Sequence, residues 1–157
     1  MPQVKSKINI AFLSVFTILL GFLREYLFGN INWIYKTLTK NRVNQARDEF
    51  QFLLNWNPED IIALKWMLTV IFFTLFMFLT YLIIRLGFKN KIYSRATLML
   101  FGTILLVSGF FYLTGYIFSI PEKIYPIIRT LMGIGQSFIP LMILFVLFKF
   151  FPSSKID

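Results

Sequence analysis

Two residue types are missing from this chain and one class is scarce. The 157 residues include no cysteine and no histidine. That excludes disulfides, thiol nucleophiles, CxxC redox pairs, c-type haem attachment and Cys/His zinc sites. Charged residues make up only 15%, against about 25% in soluble domains. Acids are the rarest of them, with seven Asp and Glu against sixteen Lys and Arg. No Walker loop, GxGxxG, HExxH or GxSxG motif occurs. Of the acids, only Glu25 falls at a depth where intramembrane chemistry could use it, so an aspartyl dyad is unavailable. These absences weaken any enzyme reading, and the sequence leads us to expect no catalytic residue, no metal and no cofactor.

What is abundant is apolar. Hydrophobic residues reach 57% and aromatics 19%, with a mean hydropathy of +0.71. One small core cannot hide that much apolar surface, so a water-soluble globule is close to excluded. The apolar residues fall in four runs: Ile8 to Leu23, continued by Tyr26–Phe28; Trp66 to Ile84; Ala96 to Ile120; and Leu131 to Phe148. A helix needs about 20 apolar residues to cross roughly 30 Å of hydrocarbon. The runs are continuous rather than alternating, which favours helices over a barrel. The expected fold is all-α, a single four-helix transmembrane domain with spans near 8–28, 61–86, 96–118 and 121–151. Lys5 and Lys7 precede the first run as in a signal peptide, but no A-x-A-like site follows it. We read it as a retained span.

Four spans place both termini on one side. Lys5, Lys7, Arg85, Lys89, Lys91, Arg95, Lys149 and Lys155 then share a side with one acid, Asp157. The other side carries as many Lys and Arg, eight, but positive charge is densest in 85–95, which favours that side, and both termini, as cytoplasmic. The net charge of +9 needs no nucleic acid; positive-inside bias and anionic lipid account for it.

Residues 29–60 are the one sizeable connector. Gly29 reads as a helix C′ residue and Asn30 as an N-cap. Ile31, Ile34 and Leu38 share a face, and Val43, Ala46, Phe50, Leu53 and Leu54 repeat the pattern. This predicts short amphipathic helices on the membrane surface, with Trp33, Trp56 and Trp66 at headgroup level. Such a connector is either a plain surface link or a docking surface for a partner. Asn57-Pro58-Glu59-Asp60 is a helix start. Ser119-Ile120-Pro121-Glu122 has capping-box spacing and predicts a tight hairpin between the last two spans.

In lipid, helices associate through small residues and buried polar groups. Gly21 lies on such a stripe of the first span with Ser14, Thr17 and Glu25. The third span offers Gly102, Gly109, Tyr112 and Tyr116. The fourth offers Glu122, Tyr125, Arg129, Gly133, Gln136 and Pro140. A hairpin turn near 119–121 sets Gly109 opposite Gly133, Tyr112 near Arg129 and Gly102 near Pro140, and Pro140 should kink the fourth span. Glu25, Lys65, Arg129, Tyr112 and Tyr116 then fall in the outer third of the bilayer. With Gln136 they make a polar cluster of positive remainder, either a structural ion-pair network or a site for a lipid phosphate or other anion.

Phe22-Leu23-Arg24-Glu25-Tyr26-Leu27-Phe28, the turn Gly87-Phe88-Lys89-Asn90-Lys91, and Tyr125-Pro126-Ile127-Ile128-Arg129 leading to Pro140-Leu141 resemble small bacterial membrane proteins of the exosortase-F-associated type. The resemblance covers about a fifth of the chain. It implies a small accessory protein of a bacterial inner membrane and carries no activity. The sequence thus leads to a non-catalytic subunit or assembly factor of a larger membrane complex, with other membrane-protein subunits and phospholipid as partners. An anionic-lipid binding module is the alternative. A small transporter or intramembrane enzyme centred on Glu25 and Arg129 is a further one.

Overall fold

The structure, a computed structural model, describes residues 2–40, 42–88 and 90–150. The expectations placed on Lys89, Lys155 and Asp157, and on the side chains of Lys5 and Glu122, fall outside what is described. Among the described residues every regular element is helical. In chain order these are α1 (Pro2–Lys40), a 3-10 segment (Asp48–Asn55), α2 (Pro58–Phe88), α3 (Lys91–Ile117), α4 (Pro121–Gly135) and α5 (Ile139–Phe150). Three helices are long and apolar enough to cross a membrane, and a fourth crossing is available if α4 and α5 are counted as one broken span.

The chain divides into two compact units, Leu19–Phe72 and the combination of Met1–Ile18 with Phe73–Asp157.

In the first of these, the second half of α1 runs antiparallel to the first half of α2. Phe28 meets Phe72 at 6.2 Å between ring centroids, and the Lys65 ammonium lies over the Tyr35 ring. Ile31, Ile34, Leu53 and Ile61 form the core, with Leu38, Ala46, Phe50, Leu54 and Leu64 packed against it. The face predicted from Ile31, Ile34 and Leu38 is therefore the buried one. Val43, expected on the repeat of that face, is exposed instead, because residues 42–47 form no helix and their side chains follow no helical period.

α1 does not stop at Gly29. The helix runs on for 39 residues, about 58 Å at roughly 1.5 Å per residue. A helical glycine costs only about 1 kcal/mol relative to alanine. Asn30 caps nothing; its side-chain amide donates to Tyr26 O at 2.8 Å, one turn back. The buried isoleucines beyond it hold the helix together more strongly than the two breakers disrupt it.

α2 starts where Asn57-Pro58-Glu59-Asp60 predicts. Asn57 O accepts from the amides of Asp60 and Ile61, and proline at the first helical position lacks an N–H that would go unpaired there.

The second unit is held by Ile83, Ile84, Tyr93, Leu141 and Leu144, with Ile10, Leu13, Phe88, Leu100 and Phe148 packed against them. Asn90 caps α3 by accepting from Ile92 N at 2.9 Å. Between α3 and α4 the chain turns through Phe118-Ser119-Ile120, and the two helices pack against each other. Ser119 adopts a left-handed backbone with φ of 52°. The N-cap of α4 is Ile120, with no side-chain capping bond. The expected capping box is thus displaced: Ser119 is spent on making the turn.

The run from Pro121 onward is not one kinked helix. α4 ends at Gly135, α5 begins at Ile139, and their axes differ by 57°. The break precedes Pro140, which sits in the first turn of α5 where its missing N–H costs nothing. Ser137 stabilises the break from both sides. Its hydroxyl donates to Ile134 O at 2.7 Å and accepts from Ile139 N at 3.2 Å.

Candidate functional site

Glu25 and Lys65 belong to the unit Leu19–Phe72. Glu25 is exposed and ion-pairs with its chain neighbour Arg24. The Arg24 guanidinium also lies 5.2 Å from the Phe28 ring centroid. Lys65 is half-buried, with its ammonium 5.2 Å from the Tyr35 ring centroid. Glu25 is thus engaged by its chain neighbour rather than by Lys65.

Tyr112, Tyr116, Arg129 and Gln136 belong to the other unit. Tyr112 and Tyr116 are exposed on α3, and Arg129 is exposed on α4. Gln136 is buried at the C-terminal end of α4, where its backbone N–H donates to Met132 O. It helps to end a helix within an apolar segment. Of the small residues singled out for packing, Gly21 and Gly133 are half-buried and Pro140 is buried. A Cβ at Gly102 or Gly109 would meet no atom within 4 Å.

Gly135 is closely packed. A Cβ there would approach Phe73 Cε2 to 2.6 Å and Ile104 Cγ2 to 3.5 Å. Phe73 in turn stacks edge-on against Phe101 at 5.5 Å. Gly133 lies two residues earlier on the same helix, and the break after Gly135 separates only Pro140 from the stripe read along the fourth span.

The polar interactions of the first unit converge on the connector. Asn30 Oδ1 accepts from Arg47 N at 2.9 Å. The Arg47 guanidinium lies over the Tyr26 ring. The Tyr26 hydroxyl is 3.1 Å from Glu49 Oε2, and its ring meets Phe50 edge-on at 5.6 Å. Lys36 lies over Trp33 at 4.7 Å. Cation–aromatic contacts normally occur about once in 70–80 residues, so four here within residues 24–65 mark a built feature. Cations resting on aromatic rings keep their charge outward and their stems covered, which suits the edge of an apolar slab.

Beside this lies an open groove of about 740 Å³, lined by Asn55, Trp56, Asn57, Asp60, Ala63, Leu64 and Met67. Its floor is apolar and its rim carries two amides, a carboxylate and an indole. Asn57 donates to the Asp60 carboxylate at 3.3 Å. The sequence reading used these residues only as a helix start. Among the described residues no group of three or more Asp or Glu is placed to hold a metal ion. The chain matches no protein-family profile, no curated protein and no solved structure.

Proposed function

We propose that this chain is a multi-pass integral membrane protein that serves, without catalysing a reaction, as a subunit or assembly factor of a larger membrane complex. α1, α2 and α3 each cross once. α4 and α5 together form the fourth crossing and a hairpin with α3, so both termini lie on one side, which the density of positive charge in 85–95 favours as the cytoplasm. α1 and α2 are longer than about 30 Å of hydrocarbon requires. Their surplus turns extend past the hydrocarbon. The resemblance to exosortase-F-associated proteins agrees with a bacterial inner membrane and with an accessory role.

One observation carries the subunit reading. Gly102, Leu106, Gly109, Leu113 and Tyr116 recur along α3 at alternating spacings of four and three. Leu106, Leu113 and Tyr116 are among the most exposed apolar side chains, and both glycines open onto empty space. A strip of small and large residues at this period is what one membrane helix offers another, since lipid itself gains nothing from the glycines. Purification of the tagged chain in mild detergent, followed by mass spectrometry, tests this. A second membrane protein in fixed ratio is expected, and a monodisperse lone chain contradicts it.

A further inference from the structure

Five cations of the unit comprising Met1–Ile18 and Phe73–Asp157 gather at one end of it. An aromatic cluster gathers three helix ends: Phe88 of α2 meets Tyr93 of α3 at 5.4 Å and Phe148 of α5 at 5.8 Å, and Tyr93 stacks on Phe148 at 4.4 Å. The α1 end joins them, since a Cβ at Gly87 would touch Ile10 at 3.8 Å. Every cation flanking the cluster lies within about one turn, or 5.4 Å of helix rise, of a residue in it. Lys7 precedes Ile10, Arg85 precedes Phe88, Lys91 and Arg95 bracket Tyr93, and Lys149 follows Phe148. All five are exposed. No acid occurs in 7–18, 73–100 or 139–150. Arg85 is held from behind, its guanidinium 3.2 Å from the Tyr81 hydroxyl.

We propose that this end of the unit is a binding surface for the phosphate headgroups of anionic phospholipid. The argument is charge complementarity. Among the described residues the rim is of one sign, and no acid within it neutralises the cations. The aromatic floor is apolar and suits the level at which acyl chains meet headgroups. A phosphodiester at that level meets guanidinium and ammonium donors above and rings below. The inference rests on the membrane-spanning reading above and goes beyond it in naming a ligand class and a site.

The test uses the full chain reconstituted in vesicles of equal parts phosphatidylglycerol and phosphatidylcholine, then extracted in mild detergent with its retained lipid quantified. The native chain is expected to retain phosphatidylglycerol preferentially. Each juxtamembrane cation contributes roughly a fivefold preference, so the variant Arg85→Gln/Arg95→Gln/Lys149→Gln should lose at least about tenfold of it. The control Lys36→Gln/Lys40→Gln/Arg42→Gln should not. Equal retention by the triple variant, or an equal loss in the control, overturns the proposal. Should the triple variant fail to fold, a salt series on the native chain decides. The enrichment must fall as the screening length drops from about 10 Å at 0.1 M to about 3 Å at 1 M, and a salt-independent enrichment overturns it. Displacement of the lipid by millimolar inorganic phosphate points to a soluble anion and overturns the choice of lipid. A chain recovered in the aqueous fraction contradicts the membrane reading itself, whereas one that inserts without lipid preference contradicts only this site.

Discussion

The Asn30 side chain holds the connector to α1: its oxygen accepts the Arg47 amide, seventeen residues on, while its nitrogen donates to Tyr26 O. Asn30 is buried, and both bonds are partly so. Asn30→Ala removes both and leaves the Arg47 amide without its acceptor, at a cost of about 1–3 kcal/mol. All three tryptophans lie in the same unit, so thermal unfolding in detergent followed by tryptophan fluorescence reports it. The midpoint should fall, and protease should cut sooner within 42–47. An unchanged midpoint contradicts the role given to Asn30.

Gly135 admits no larger side chain without displacing Phe73. Gly135→Ala should destabilise by about 1–3 kcal/mol, the usual cost of overpacking. Phe73→Leu in the same chain should recover part of the loss, because the colliding atom is on the ring. The check is thermal loss of helical circular dichroism in a common detergent.

Ser137 bridges the end of α4 to the start of α5. Ser137→Ala should cost about 1 kcal/mol, in the range of a lost helix cap. Ser137→Thr keeps the hydroxyl and should retain most of the stability. The same melting experiment compares the two.

Gly109 faces open space, so Gly109→Ala should be neutral for the isolated chain or stabilise it by up to about 1 kcal/mol through helix propensity. Gly109→Leu should leave the isolated chain folded and remove any co-purifying membrane partner. Loss of the isolated fold instead places Gly109 in this chain's own packing.

The helical class and the apolar runs were legible because hydropathy over some twenty residues is insensitive to detail. The face Ile31-Ile34-Leu38 was legible because three apolar residues at helical spacing admit few alternatives. The end of α1 was not. Gly29-Asn30 carries a local stop signal, and only the later packing of Ile31 and Ile34 on Leu53 and Ile61 overrides it. The α4–α5 break was misplaced for a related reason: proline is the visible breaker, yet Pro140 tolerates the helix start and the interruption falls on Gln136–Phe138. The contact of Gly135 with Phe73 was not legible, because nothing in the periodicity of α4 marks that position as facing a ring on another helix. Arg24 shows how a neighbour in the chain can engage Glu25 before any distant cation.

The chain has no cysteine of its own, so single-cysteine labelling in sealed vesicles has no background and tests the membrane topology most directly. Cysteines replace Lys7, Lys91 and Lys149 at the basic end, and Val43 in the exposed connector. The three basic-end positions should react with an impermeant maleimide from the cytoplasmic face alone and Val43 from the other alone. Reaction of Val43 and Lys91 from one face, or recovery of the chain in the aqueous fraction, contradicts the account.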